Sequence, residues 1–307
     1  MIRHLVQSTR RLLSLATLAM LCALASVSAQ ADTLVVDNDG QATALDCNAS
    51  HVAFSTVQAA VNAGIAGDTI QICPGTYNEQ VAVTTSHLTI RGAGSGLTVL
   101  RPTSVVHNAI NVFGNSLAAI VLVKDASNVT IANVTIDGSA ADSGASIAPP
   151  CPFLPFYTGI YLRNSSGRVE TAHVTGIQSA TACAFAIRAE AGDFVVKASL
   201  FDHYGTTGIA CGFSGTRCIL TGNTIRGRGP VDDEVQVGIQ IRSGAAGKIS
   251  GNVITDHAFI GARGVPQSAV GIFLVYAAPT SNPFLIRDNV FDNNQVNVQR
   301  ISSAAAF

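Results

Sequence analysis

The sequence predicts an all-β protein: a single-domain right-handed parallel β-helix, or solenoid, with a short N-terminal capping α-helix. Three observations lead to this fold class. A pattern recurs about every 24 to 38 residues, apolar and polar residues alternate within it, and 48% of the residues are hydrophobic while only 12% are charged. This composition supplies a large apolar core and excludes a disordered chain or one that wraps nucleic acid.

Residues 1–31 have the features of a secretory signal peptide. Three arginines come first, an apolar run extends from Leu12 to Val27, and Ala29-Gln30-Ala31 provides a cleavage signal. We predict that residues 32–307 form the exported domain, which is secreted or periplasmic and has no membrane span after cleavage. Because the segment contains no acidic residue, its removal changes the net charge from −1 to −4.

The predicted domain opens with a short amphipathic segment. Apolar residues recur there at helical spacing, at Phe54, Val57, Val61 and Ile65. We expect a helix over about residues 55–64, with Ser55 and Gln58 as a capping box and Gly64 at its end. Such a helix would cover the unpaired edge of the first rung of the coil.

Each repeat has a recognisable centre. An apolar residue is followed three positions later by a small residue or Asn, and two positions after that by another apolar residue. The clearest copies are Leu220–Asn223–Ile225, Ile249–Asn252–Ile254 and Ile286–Asn289–Phe291, and weaker copies centre on Val134, Ala172 and Ser199. This pattern predicts rungs whose apolar side chains stack inside the coil. The three asparagines are expected one above another at a bend, bonded to the backbone of neighbouring rungs.

A second mark precedes each centre. It is a small residue followed by an apolar one, at Ala119-Ile120, Gly159-Ile160, Ala186-Ile187, Gly208-Ile209, Gly238-Ile239 and Gly271-Ile272. The segments around these marks alternate apolar and polar residues and are rich in β-branched side chains, which favours strands.

Six cysteines remain after cleavage: Cys47, Cys73, Cys151, Cys183, Cys211 and Cys218. An even number in an exported chain favours disulfides. Cys211 and Cys218 are the best pair because they flank one short loop, and Cys151 with Cys183 is a second candidate pair. No CxxC or HxxxH spacing occurs, so we expect no metal site.

Four segments near the start of the domain carry a resemblance to a known group of proteins. They are Phe-Ser-Thr-Val-Gln-Ala-Ala-Val at 54–61, Gly-Asp-Thr-Ile at 67–70, Pro-Gly-Thr-Tyr at 74–77 and Glu-Gln-Val at 79–81. With the later repeats they resemble the pectin lyase-like superfamily of right-handed parallel β-helix proteins. That group includes pectinesterases, polysaccharide lyases and polygalacturonases, so the resemblance implies the fold and a polysaccharide partner but selects no reaction.

The catalytic motifs of those enzymes are not matched. Asp193-Phe194-Val195-Val196 is a fragment of the pectinesterase motif, but no Gln-Asp pair precedes it. Asp232-Asp233 lacks the accompanying Gly-His-Gly of polygalacturonases, and Arg263-Gly-Val-Pro266 does not fit the Arg-x-Pro-x-x-Arg of pectate lyases. The sequence leaves open whether the protein is an enzyme.

A polar stripe follows the repeat centres. Three positions after each centre stand Asp137, Thr175, Asp202, Arg226, Thr255 and Asp292. Equivalent positions on adjacent rungs lie about 4.8 Å apart, which brings the next residues of these turns together as well. We therefore expect a site with His203, Arg226 and Tyr204 as catalytic residues and Asp202, Arg228, Asp256 and His257 as substrate-binding residues.

These residue types fit an acidic polysaccharide. An arginine can hold a uronate carboxylate, and His203 or Tyr204 can accept the C5 proton in β-elimination or epimerisation. A pair of aspartates would instead suit hydrolysis, and Asp and His are also ordinary turn residues. We expect an exported β-helix protein that binds or modifies a polysaccharide or cell-surface glycan, lyase- or epimerase-like and without a cofactor. The alternative is a non-catalytic β-helix acting as a glycan-binding, surface or envelope structural protein.

Overall fold

The computed structural model describes residues 30–141, 156–179, 183–232, 234–261, 268–275 and 285–301. Within them the strands form two sheets. The 16-stranded sheet contains β1 (Thr33–Val36), β2 (Thr69–Ile72), β4 (Val81–Val83), β5 (Thr89–Gly92), β7 (Ala109–Ile110), β8 (Ser116–Lys124), β9 (Val129–Ala132), β11 (Phe156–Arg163), β12 (Gly167–Glu170), β14 (Cys183–Lys197), β16 (Thr207–Thr221), β18 (Val237–Arg242), β19 (Ala246–Ser250), β21 (Val270–Val275), β22 (Leu285–Arg287) and β24 (Val296–Ile301).

The eight-stranded sheet contains β3 (Gly75–Tyr77), β6 (Thr98–Leu100), β10 (Thr135–Asp137), β13 (His173–Thr175), β15 (Leu200–Phe201), β17 (Thr224–Val231), β20 (Val253–Phe259) and β23 (Val290–Asp292). Neighbouring strands in this sheet are parallel and come from successive passes of the chain. In the larger sheet the pairing is parallel as well, except between β7 and β8. The architecture is a parallel β-helix, as the sequence predicts.

The repeat centres align in the structure as they do in the sequence. One register row of the eight-stranded sheet is Ile136, Val174, Phe201, Ile225, Ile254 and Phe291. The first five side chains are fully buried, and Phe291 packs against the same core. A stack of this kind gives each rung apolar neighbours above and below, so the hydrophobic effect stabilises the whole column.

A ladder of side-chain hydrogen bonds runs beside this core. The Asn252 amide donates to the Leu220 carbonyl at 3.0 Å, and its oxygen accepts from the Asn223 backbone N–H at 2.9 Å. Asn289 repeats the pattern one rung later, with 3.0 Å to the Ile249 carbonyl. The predicted asparagine stack is therefore confirmed, and it satisfies backbone groups at a bend where no strand partner is available.

The small residues of the second mark stand where the interior is crowded. A Cβ added at Gly238 would lie 2.6 Å from the Gly271 carbonyl oxygen, and one at Gly208 would lie 2.7 Å from the Gly238 oxygen. Each mark thus brings the backbone of one rung against the next. This contact explains the glycines at these marks.

One helix, α1 (Val57–Ala63), lies near the start of the coil and ends at Gly64 as predicted. Its N-cap is Thr56, whose side chain accepts from the Ala59 N–H. The predicted Ser55–Gln58 capping box is wrong, because the Gln58 side chain instead hydrogen-bonds the backbone of Ala82. The Glu79 carboxylate takes the place of the predicted capping box. It accepts from the N–H groups of Val57 and Gln58, at 2.8 Å each. Ile65 is 49% exposed and does not extend the buried face.

Two disulfides join described residues, Cys47–Cys73 and Cys211–Cys218. The second is the pair that the short loop predicts. Cys183 is disulfide-bonded as well, while its predicted partner Cys151 lies outside the described residues, as does most of the predicted signal peptide. Among the residues that the structure describes, no helix is long and apolar enough to cross a membrane.

Candidate functional site

The candidate site is the polar edge that follows the buried row of the eight-stranded sheet. We call it the edge stripe: Asp137, Thr175, Asp202, Arg226, Thr255 and Asp292. Strand pairing places Asp137 beside Thr175, and Arg226 beside Thr255. Phe201, Ile225 and Ile254 are fully buried, as the predicted register requires, but Asp202, which was expected to point outward, is only 7% exposed.

The chain turns sharply after the stripe, and this turn changes which residues face solvent. His203 and Asp256 have backbone φ angles of 48° and 63°, in the left-handed region that Asn, Asp and His tolerate better than most residues. The next residue in each rung, Tyr204 or His257, points into the coil and is 0% exposed. The prediction that Tyr204 and His257 lie on the outer surface is therefore wrong, because a left-handed residue interrupts the alternation that the prediction assumed.

The two buried residues form a polar chain inside the coil. The Tyr204 hydroxyl lies 2.5 Å from Nε2 of His257, and Nδ1 of His257 lies 2.7 Å from Oδ1 of Asn294. Burial lowers the pKa of His257 to about 4 and raises the pKa of Tyr204 well above its ordinary value. Both side chains are uncharged at neutral pH. Because both are fully buried, neither can contact a polymer outside the coil.

The most unusual part of the edge stripe is Asp202. Its side chain is about 10% exposed, and Oδ1 lies 3.0 Å from Nε2 of His173 and 3.2 Å from Nδ1 of His203. Burial by itself raises the pKa of this carboxyl, but hydrogen bonds from His173, Thr175 and His203 outweigh that effect and hold the pKa well below its usual range. Asp202 is thus a carboxylate that orients two imidazoles.

His203 is the accessible member of this group. Its side chain is 70% exposed, and its Nδ1 faces Asp202, so Nε2 is the ring nitrogen left for solvent or a ligand. Beside it lies an open pocket of about 370 Å³, lined by Asp137, Gly138, Ser139, Ala141, Thr175, Gly176, Gln178 and His203. The arrangement places a base at the edge of a polar recess.

The remaining predicted site residues are spread over two rungs. Arg226 is exposed, one rung from Asp202. Arg228 is half-buried in an irregularity of β17, and its backbone N–H donates to Gln236. This irregularity, unforeseen from the repeat spacing, separates Arg228 from the stripe. Asp256 is half-buried and accepts a hydrogen bond from Thr255 at 2.9 Å.

Sequence reasoning missed a second polar group on the outer face of the larger sheet. Arg188 and Glu190 are only 4% and 0% exposed, and Nε of Arg188 lies 2.6 Å from the Glu190 carboxylate. The Tyr161 hydroxyl donates to the other carboxylate oxygen at 2.6 Å. Two opposite charges separated by one alanine inside an apolar strand were the available signal, because such charges are seldom buried unless paired.

One cluster of potential metal ligands lies in the described part of the chain. It consists of Asp37, Cys47 and Cys73. Since Cys47 and Cys73 are joined in a disulfide, they offer no thiolate, and the cluster lacks the ligands of a structural metal site.

Comparison with known proteins places the chain in a structural class. Residues 156–306 match the family described as right handed beta helix region. The predicted resemblance to right-handed parallel β-helix proteins is therefore confirmed at the level of the fold. No curated protein sequence matches the chain.

Solved structures agree on the fold. A pectin methylesterase mutant in complex with a hexasaccharide is 14% identical, with a TM-score of 0.50 over 88% of this chain and 81% of that one. A lacto-N-biosidase from Eubacterium ramulus is 12% identical, with a TM-score of 0.52 over 87% of this chain and 57% of that one. At such identities the likeness shows the fold alone.

Proposed function

We propose that this protein is exported and binds or modifies an acidic polysaccharide along the edge stripe. The observation that carries the proposal is Asp202, which orients His203 beside the open pocket. The two similar structures named above, a pectin methylesterase bound to a hexasaccharide and a lacto-N-biosidase, support a glycan as the partner. The glycan of this protein is proposed to contain uronate, because Arg226 lies exposed one rung away.

The proposed chemistry is proton transfer at C5 of a uronate. The Arg226 guanidinium pairs with the carboxylate, which makes the adjacent C5–H bond more acidic. His203 donates Nδ1–H to Asp202 and accepts the C5 proton at Nε2. If the electron pair of the C5–H bond then forms a C4–C5 double bond and the C4 oxygen departs with a proton, the reaction is a β-elimination. If a proton returns to the opposite face of C5, it is an epimerisation.

A second function is favoured by a different observation. Tyr204, the other predicted proton acceptor, lies inside the coil, which leaves His203 as the exposed proton acceptor of the predicted catalytic set. A stripe with one base and one arginine also suits binding without chemistry. The second candidate is therefore a non-catalytic glycan-binding, surface or envelope protein, with the same stripe as its binding face.

The test separates the two functions. Purified protein is incubated with pectate, alginate and glycosaminoglycans in D₂O, and deuterium at C5 and unsaturated products are followed by NMR and ultraviolet absorbance. We expect exchange or elimination that falls by about 100-fold in His203→Ala, within the usual contribution of a general base. The control is His51→Ala, which removes an exposed histidine that is distant from His203 in the sequence. Binding without exchange in the wild type favours the non-catalytic function, and neither binding nor exchange contradicts both.

Export is part of the proposal. Stable disulfides are typical of oxidising compartments, and Cys47–Cys73 and Cys211–Cys218 support a location in the periplasm or outside the cell. Removal of residues 1–31 is expected, with helix α1 then covering the first rung. N-terminal sequencing of protein recovered from the periplasm or medium tests this. A first residue other than Asp32 places the cleavage elsewhere, and recovery only of the uncleaved cytoplasmic chain contradicts the export proposal.

A further inference from the structure

Two phenylalanines from distant parts of the chain meet on the outside of the coil. Phe113 lies in the turn between β7 and β8, and Phe213 lies within β16. Their ring centroids are 5.0 Å apart at an interplanar angle of 84°, an edge-to-face contact. Phe113 is nevertheless 60% exposed, so the pair presents an aromatic surface to solvent.

The backbone holds both rings in place. Phe213 has a φ of 77°, which is rare and strained for a bulky residue, and the Cys211–Cys218 disulfide encloses it. The Phe113 turn is fixed from the other side. The Asn111 side chain accepts from the Phe113 N–H at 2.9 Å, and the Val112 N–H donates to buried Glu190 at 3.1 Å. Strain held in place by several contacts is a common property of binding sites.

Arg242 lies next to this pair of rings. Its guanidinium carbon is 5.8 Å from the centre of the Phe213 ring. The aliphatic part of the Arg242 side chain packs over Gly212, where an added Cβ would lie 3.2 Å from Cγ of Arg242. Within the described ranges Arg242 forms no ion pair, and its Nε is buried without a hydrogen-bond partner.

The nearby Glu190 carboxylate compensates Arg242 only in part. Glu190 is already occupied by Arg188 and Tyr161, so the charges of Arg188 and Glu190 cancel and the charge of Arg242 remains. Burial and the charge of Arg188 lower the pKa of Arg242 by more than the charge of Glu190 raises it, and an anion bound beside Arg242 would oppose that decrease. An anionic group from outside the protein would supply the charge partner that Arg242 lacks among the described residues.

We propose that Phe113, Phe213 and Arg242 form a binding site for one uronate residue of an acidic glycan, separate from the edge stripe. The Arg242 guanidinium pairs with the uronate carboxylate, as such groups do in charge-assisted hydrogen bonds. The apolar face of the sugar ring lies on the exposed Phe113 ring. The site requires neither His203 nor Arg226, so it stands even if the edge stripe proves to be ordinary surface.

The experiment is titration calorimetry of the full exported protein with oligogalacturonate and, in parallel, with a neutral malto-oligosaccharide of the same length. We expect the acidic oligomer alone to bind, more weakly as salt is added. Arg242→Gln should reduce its affinity about 10-fold or more, as the loss of a charge-assisted hydrogen bond implies. Phe113→Ala should reduce it about 3- to 10-fold, and because Phe113 is exposed this variant keeps the test valid if Arg242→Gln does not fold.

Two controls separate this site from the edge stripe. Arg217→Gln removes an exposed arginine of the same disulfide-closed loop, and His203→Ala alters the stripe. Arg217→Gln should bind oligogalacturonate as the wild type does, and in the His203→Ala background Arg242→Gln should still lower the remaining affinity about 10-fold. Equal binding of acidic and neutral oligomers would overturn the proposal. So would wild-type affinity in both Arg242→Gln and Phe113→Ala, whereas loss of affinity in His203→Ala alone would assign the binding to the stripe instead.

Discussion

The Tyr204 hydroxyl lies 2.5 Å from Nε2 of His257, although 53 residues separate the two in the chain. Both side chains are fully buried. Because Nδ1 of His257 faces the Asn294 side-chain oxygen, Nδ1 carries the proton and Nε2 accepts the tyrosine hydrogen. The imidazole is held neutral in the interior, since a positive charge there would be desolvated.

This relationship predicts a pH dependence of stability. The pKa of His257 is about 4 in the folded protein, compared with 6.5 for an exposed histidine. As the pH falls from 6.5 towards about 4, the unfolded chain binds a proton that the folded chain does not, so the free energy of unfolding decreases by up to about 3 kcal/mol. Urea denaturation above, within and below this window measures the decrease.

The control for that measurement is a histidine at the surface. His257→Gln should lower stability at neutral pH but remove most of the decrease on acidification. His51→Gln, at an exposed position, should keep the wild-type dependence. An unchanged acid decrease in His257→Gln would assign it to other groups.

Replacement of Asn252 should destabilise the coil strongly. Its amide bonds the Leu220 carbonyl and accepts from the Asn223 N–H, and the residue is 0% exposed. Asn252→Ala leaves these backbone groups unsatisfied, at a cost of about 2–4 kcal/mol. Thermal denaturation measures the loss, and Asn62→Ala on the exposed side of α1 should change stability by less than about 0.5 kcal/mol.

Gly238→Ala should be costly for a steric reason. The new Cβ would lie 2.6 Å from the Gly271 oxygen and 3.0 Å from the His257 ring, and backbone atoms cannot move away without shifting a rung. We expect a loss of about 1–3 kcal/mol by chemical denaturation. At Gly212 an added Cβ meets only the flexible stem of Arg242, at 3.2 Å. If Gly212→Ala proves as destabilising as Gly238→Ala, the close approach of the rungs is not the cause.

The start of helix α1 depends on Glu79. Its carboxylate accepts from two N–H groups of the first helical turn, which have no partner within the helix. Glu79→Ala should cost about 1–2 kcal/mol, and hydrogen exchange at Val57 and Gln58 should accelerate. Glu79→Gln keeps one acceptor oxygen and should show a smaller effect. Unchanged exchange in both variants would contradict this role.

Much of the fold could be predicted because it depends on local repetition. The buried row from Ile136 to Phe291 and the asparagine ladder follow from spacing, since each rung places the same residue type at the same bend. The position of Tyr204 could not be predicted from alternation, because the left-handed turn at His203 reverses the direction of the next side chain. A recurring Gly, His, Asp or Asn at that offset was the available signal.

The unusual contacts on the outer face were harder to foresee. Phe113 and Phe213 lie 100 positions apart in the sequence and come together only because β7 pairs with β8 and the Cys211–Cys218 disulfide closes the loop around Phe213. No periodicity marks them, since both stand in segments that interrupt the repeat. Contacts that depend on such interruptions require the three-dimensional structure.

The asparagine ladder has a direction. Asn223 reaches back to the Val196 carbonyl, and Asn252 reaches back to that of Leu220. Each amide thus attaches to the rung made just before it, and Asn252 also accepts the backbone N–H of Asn223. During synthesis the N-terminal rungs are made first. Each new rung can therefore form these hydrogen bonds to a rung that is already folded. The amides of Asn223 and Asn252 also donate forward to the oxygen of the next asparagine, so a coil shortened at its C-terminal end leaves its last remaining asparagine without that acceptor.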